Sequence, residues 1–222
     1  MTDAVTLWGH WTCPFVNRVD FALAERGIAH DLVSVPPSAV RPADFVLPEE
    51  FVAHSPLLEV PMIRIGGEFR VDSIPLLYWL EERVDAPALL PDDDGLVRER
   101  VDRLDATLMR AMGAIAYGTD GATIDRGVAR LADAFAEIDA WLGDDSWLAG
   151  DRPTLAEAIA VPVYLRLPGL VALGYDRPIP DRVAEHRTRT LDRPGGRHVA
   201  WSPDQAAEYL GRHRAFRRRN GR

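Results

Sequence analysis

Lysine is absent from this chain, and all 26 basic residues are arginine. A lysine base or Schiff-base nucleophile is therefore excluded from its chemistry. Cysteine is nearly absent too, Cys13 being the only one, so no internal disulfide can form and no cysteine cage can hold a metal. Long apolar runs are missing: nothing approaches the ~20 uninterrupted apolar residues of a membrane span. The start, Met1-Thr-Asp-Ala, lacks the basic and then apolar regions of a secretory leader. The expectation is a cytoplasmic protein with no membrane partner. Positive charge is scarce over most of the chain. The net charge is −8, yet Arg212, Arg214, Arg217, Arg218, Arg219 and Arg222 crowd into the last eleven residues, which hold no acid, so the remainder is more acidic still. An acidic body disfavours nucleic acid, whose phosphates require a basic face. The basic end reads as a frayed, solvated helix terminus.

What is present is enough apolar surface for a core. The 222 residues are 47% hydrophobic and 27% charged, which places the chain among globular proteins of one large or two small domains. Residues 1–85 read as a mixed α/β domain. A strand over Ala4–Gly9 precedes a helix over Pro14–Arg26, with apolar spacing at Phe15, Val19, Ala22 and Leu23 and a stop at Gly27. A second strand at His30–Val35 leads through a proline-rich stretch to a short helix near Glu49–Ala53. Met62–Ile65 and Glu68–Val71 flank Gly66-Gly67, a turn in which both residues accept positive φ, and so form a hairpin. Ser73 opens a helix through Val84, with Pro75 in its first turn. This order is the thioredoxin-like one. Residues 86–95 form a linker by composition, and 96–222 an all-α domain with helices at 96–117, 125–142, 155–173, about 181–191 and 203–217. Thr154-Leu-Ala-Glu157 is a capping box opening a nearly apolar helix that carries Pro162 and Pro168, expected to be the buried central one.

Cys13 is the sharpest chemical signal. It precedes Pro14 at the start of the first helix, where unpaired amides and the helix dipole favour a thiolate. The fourth position of a Cys-x-x-Cys pair is Val16, so a redox cycle must borrow an external thiol. Val60-Pro61 enters a strand, where a cis bond would leave the Val60 backbone free to pair with an extended ligand. Asp72-Ser73 offers a carboxylate to an ammonium group, and a hydroxyl with free amides to a carboxylate, which suits an amino-acid head; a plain helix cap is the other reading. His10, on the turn before Cys13, has no assigned role. Arg18 is expected to tie the two domains by an ion pair. No metal-ligand spacing stands out.

Cys13-Pro-Phe-Val-Asn-Arg18, Phe51-x3-Ser55-Pro-x3-Val60-Pro61, Asp72-Ser73-Ile-Pro-Leu-Leu-Tyr-Trp-Leu80 and Gly150-Asp-x2-Thr-Leu-Ala-Glu157 fall in the order and spacing of cytosolic glutathione transferases. The chain resembles most the cysteine-type branch, the omega-like and dehydroascorbate-reductase-like enzymes. The resemblance implies a thioredoxin-like domain holding glutathione or another cellular thiol, an all-helical domain supplying the pocket for a small hydrophobic or electrophilic substrate, and a homodimer. By position it implies Cys13 facing the glutathione sulfur, Val60 and Pro61 at the cysteinyl unit, and Asp72 and Ser73 at the γ-glutamyl head. His54, with Arg41 beside it as a candidate, would meet the glycine carboxylate, and Glu59 would oppose that charge. The expected reaction is thiol transfer through a mixed disulfide on Cys13. The alternatives are a thiol-dependent isomerase or dehalogenase of a dedicated pathway, and a non-catalytic adaptor of the same fold.

Overall fold

The computed structural model describes residues 4–143 and 145–221; Met1 to Asp3, Asp144 and Arg222 lie outside the described residues, and with them parts of the leader and basic-tail readings. The chain divides into two compact units, Met1–Leu90 with Pro194–Val199, and Pro91–Arg193 with Ala200–Arg222. The first is a thioredoxin-like α/β unit and the second is all helical, as the sequence led us to expect.

The first unit runs β1 (Val5–Gly9), α1 (Pro14–Glu25), β2 (Asp31–Ser34), α2 (Glu49–His54), β3 (Met62–Ile65), β4 (Glu68–Val71) and α3 (Ser73–Arg83). Its sheet has the order β2-β1-β3-β4, with β1 and β2 parallel and the other two pairs antiparallel. Gly66 and Gly67 hold φ of 56° and 87° in the β3–β4 turn, conformations that glycine adopts without steric cost. Alternation sorts the strands' side chains. Trp8, Arg64 and Phe69 share one face with α2, which pairs Glu50 with Arg64 and stacks His54 on Phe69. Leu7 and Ile63 point to the other face and are fully buried.

Helix α1 is joined to α3 by its C-cap residue. Arg26 is 4% exposed and forks across the end of α3, donating from Nη1 to the Leu80 carbonyl at 2.8 Å and from Nη2 to that of Val84 at 2.8 Å. Its Nε reaches the Pro87 carbonyl at 3.0 Å, and Glu81 lies 3.3 Å from Nη1. The last carbonyls of a helix have no intrahelical partner; Arg26 supplies a donor to that of Val84, the C-cap, and adds a second donor to that of Leu80, which already accepts from the Val84 amide at 3.2 Å. Burial lowers the Arg26 pKa and Glu81 opposes the shift.

In the second unit, α4 (Gly95–Tyr117) packs with both α5 (Gly121–Leu142) and α6 (Leu155–Ala172), followed by α7 (Asp181–Leu191) and α9 (Pro203–Asn220). The remaining helix, α8 (Pro194–His198), packs on α1 and belongs to the first unit. Helix α5 starts four residues earlier than the apolar spacing indicates, because Asp120 caps it by accepting from the Thr123 amide at 2.8 Å. Among the described residues only α6 is long and apolar enough to cross a membrane, and 72% of it is buried, as in a core helix. Its capping box forms as expected, with Glu157 accepting from the Thr154 amide at 2.6 Å. The same carboxylate accepts from the Leu148 amide at 2.7 Å and lies 3.2 Å from His186 Nε2, while His186 Nδ1 meets the Tyr164 hydroxyl at 2.9 Å. Burial raises the Tyr164 pKa. Pro168 has no N–H to offer the Tyr164 carbonyl, and Arg187 Nε supplies the missing donor at 2.9 Å. The basic end is not wholly a solvated fray: α9 continues to Asn220, and Arg217 turns back to donate to the carbonyls of Leu173 at 2.8 Å and of Ile115.

The Arg26 fork makes a stability prediction. Arg26→Met, which keeps the apolar stem and removes the donors to the Val84 and Pro87 carbonyls, is expected to lower stability by about 3 kcal/mol in urea unfolding. Arg26→Lys should recover less than half of that, since an ammonium cannot span the fork. A wild-type midpoint for Arg26→Met would contradict the capping role.

Candidate functional site

Strand register brings three segments to one end of the sheet. Trp8 in β1 pairs with Met62 in β3, and Met62 pairs with Val71 in β4. The loop leaving β1, the residues entering β3 and the residues leaving β4 therefore emerge together. They carry Cys13, Val60-Pro61 and Asp72-Ser73.

Cys13 is the N-cap of α1. Its amide donates to the His10 carbonyl at 2.9 Å, and its side chain makes no capping bond. The thiol is only 2% exposed, and Sγ lies 3.9 Å from the Val60 carbonyl as a donor. The Val60–Pro61 bond is cis. His10 Nδ1 accepts from the Thr12 amide at 3.3 Å, and its ring packs on Trp11 with centroids 5.5 Å apart.

Asp72 is exposed and sits at φ 70°, ψ 122° as the N-cap of α3, yet its side chain makes no capping hydrogen bond. The plain-cap reading thus loses its basis for this residue. A non-glycine residue in this region is strained, and such strain gathers at functional positions. Ser73, beside it, is buried, and its Oγ accepts from Arg18 Nη1 at 3.3 Å. With a guanidinium on its acceptor side, the hydroxyl keeps its own proton for a second partner. Arg18 also lies over the Phe15 ring, 5.0 Å from its centroid.

The remaining candidates each have partners of their own. His54 stacks on Phe69 with ring centroids 3.6 Å apart, on the α2 face of the sheet. Arg41 donates to the carbonyls of Pro36 at 2.9 Å and Leu58 at 2.7 Å. Glu59 accepts from Ser38, both amide and hydroxyl. Two features escaped sequence reasoning, the Asp72 backbone and the Arg18–Ser73 bond. The second left a trace: Arg18 falls between Phe15 and Ala22 on the apolar stripe of α1, a charge where the spacing wants a core residue.

Comparison with known proteins agrees with this architecture. The family model for the glutathione S-transferase N-terminal domain matches residues 7–88, and that for the glutathione S-transferase C-terminal domain matches residues 101–172. The chain belongs to the glutathione S-transferase family. It is similar to a maleylacetoacetate isomerase of Pseudomonas aeruginosa, 29% identical over 158 residues that take in 65% of this chain and 73% of the relative. It is likewise similar to a maleylpyruvate isomerase of Ralstonia sp, 29% identical over 173 residues, 70% of this chain and 79% of the relative. Among solved structures, rice GST1 in complex with glutathione superposes with a TM-score of 0.82 at 18% identity, covering 99% of each chain. That likeness is one of fold.

Proposed function

We propose that this protein is a glutathione-dependent isomerase of a small unsaturated acid of the maleyl type, with its glutathione site at the shared strand end of the first unit. The reading rests chiefly on one observation, the uncommitted carboxylate of Asp72 beside the Arg18-oriented hydroxyl of Ser73. Together they match the ammonium and carboxylate of the γ-glutamyl head. Val60 and Pro61 would receive the cysteinyl unit. His54, stacked on Phe69, is a weaker partner for the glycine carboxylate, because its ring is already held by the sheet. When bound, glutathione supplies a thiol whose reversible addition to a conjugated double bond permits rotation and needs no oxidant. Support for isomerisation comes from the two curated relatives, whose names carry that activity. Cys13, buried and already acting as a donor, is suited to hold a neighbouring sulfur in its anionic form. A homodimer is the expected assembly, in line with the family.

A second reading is the thiol transfer of the cysteine-type branch. What favours it is the position of Cys13, the N-cap residue at the positive end of α1, whose side chain makes no capping hydrogen bond.

The two separate on conservative variants. If Cys13 is a donor, Cys13→Ser should isomerise a maleyl keto acid such as maleylpyruvate within about tenfold of wild type, while Cys13→Ala falls about a hundredfold. If Cys13 is the nucleophile, both variants lose activity, and intact-mass analysis of the wild type with oxidised glutathione yields a single adduct below pH 7. Asp72→Asn, which keeps the shape and removes the charge, is expected to weaken glutathione binding about tenfold in calorimetry with little change in melting temperature. Wild-type affinity in that variant would contradict the head-group assignment.

A further inference from the structure

Within the first unit, away from the strand-end site, three ligand-bearing side chains converge from distant parts of the sequence. Asp20 lies on α1, His30 just before β2, and His198 at the end of α8. Asp20 Oδ1 is 2.8 Å from His30 Nε2 and 2.8 Å from His198 Nε2. The two rings meet nearly edge to face, with centroids 5.4 Å apart.

The convergence is built by the backbone. Helix α8 lies so close to α1 that a Cβ on Gly195 would fall 2.6 Å from the Phe21 carbonyl oxygen, so only glycine fits. The Gly195 amide donates to Glu25 at 3.1 Å, and the Val199 amide closes on the Gly195 carbonyl at 3.2 Å. His198 is thereby delivered to Asp20 across most of the chain. The His30 ring is oriented by a second bond, from Nδ1–H to the Ile28 carbonyl at 3.0 Å. A backbone carbonyl on one imidazole nitrogen is the arrangement that directs the other nitrogen at a metal. The three ligand atoms all lie within 4.8 Å of one another. Tetrahedral ligands at zinc bond lengths are about 3.3 Å apart, so seating an ion asks the two Nε2 atoms to retreat from Oδ1 by about half an ångström.

We propose that Asp20, His30 and His198 form a binding site for a divalent transition metal of the zinc class, which staples α8 to α1 and to the start of β2. Two imidazoles select this class over calcium or magnesium, which take oxygen ligands. The His198 side chain is 48% exposed while that of His30 is 4% exposed, so the fourth position opens on the His198 side and is filled by water.

The test uses the full chain without a histidine tag, freed of metal by dialysis and titrated with Zn(II) and with Co(II). The expected result is one ion per chain, visible d–d bands with cobalt, and no thiolate charge-transfer band, which separates this site from Cys13. Zinc should raise the melting temperature of the wild type. His198→Ala, at a half-exposed position that the fold tolerates, should weaken binding at least about tenfold and abolish the thermal shift. Absence of saturable binding, a thiolate band, or full affinity in His198→Ala would overturn the proposal.

Discussion

Two buried arginines about two turns apart on α1 hold α3 at both ends. Arg18 reaches Ser73 at the start of α3, and Arg26 closes on the carbonyls of Leu80 and Val84 at its end. The two helices pack on each other, and their N-termini carry Cys13 and Asp72-Ser73. The separation of those groups is therefore set by the clasp and by the β1–β3–β4 register rather than by loops. A site that must recognise a thiol and an amino-acid head at a fixed spacing requires that rigidity.

The same device recurs in the second unit. Arg217 serves Leu173, the C-cap of α6, and Ile115 in the last turn of α4, while Arg187 serves the Tyr164 carbonyl that Pro168 cannot. A chain without lysine puts its planar, forked cations where helix ends and a proline break leave carbonyls without donors. The buried network of Glu157, His186 and Tyr164 completes the pattern: the carboxylate that closes the capping box also meets the histidine of α7. The second unit thus couples the start of its most apolar helix to a neighbour through polar atoms, where an apolar stripe alone would leave the register loose.

The elements were legible where local chemistry dictates them. The Gly66-Gly67 hairpin, the Thr154–Glu157 capping box, and Cys13 at the head of α1 follow from patterns a few residues long. What was not legible depends on distance or on backbone. Arg217 read as part of a solvated tail, because its acceptors lie on two other helices. The return of Pro194–Val199 to the first unit turns on the absence of one Cβ at Gly195, which no periodicity reports. At the site, residue types pointed to the Asp72-Ser73 pair. The positive φ of Asp72 and the Arg18 bond, which decide what that pair can do, appear only in three dimensions.

The most direct test is a crystal structure of the protein with glutathione bound. The account predicts the sulfur within hydrogen-bonding distance of Cys13 Sγ, the cysteinyl backbone paired with Val60, and the γ-glutamyl head between Asp72 and Ser73. Glutathione bound away from the end of β1, β3 and β4, or oriented with its glycine at Asp72, would contradict it.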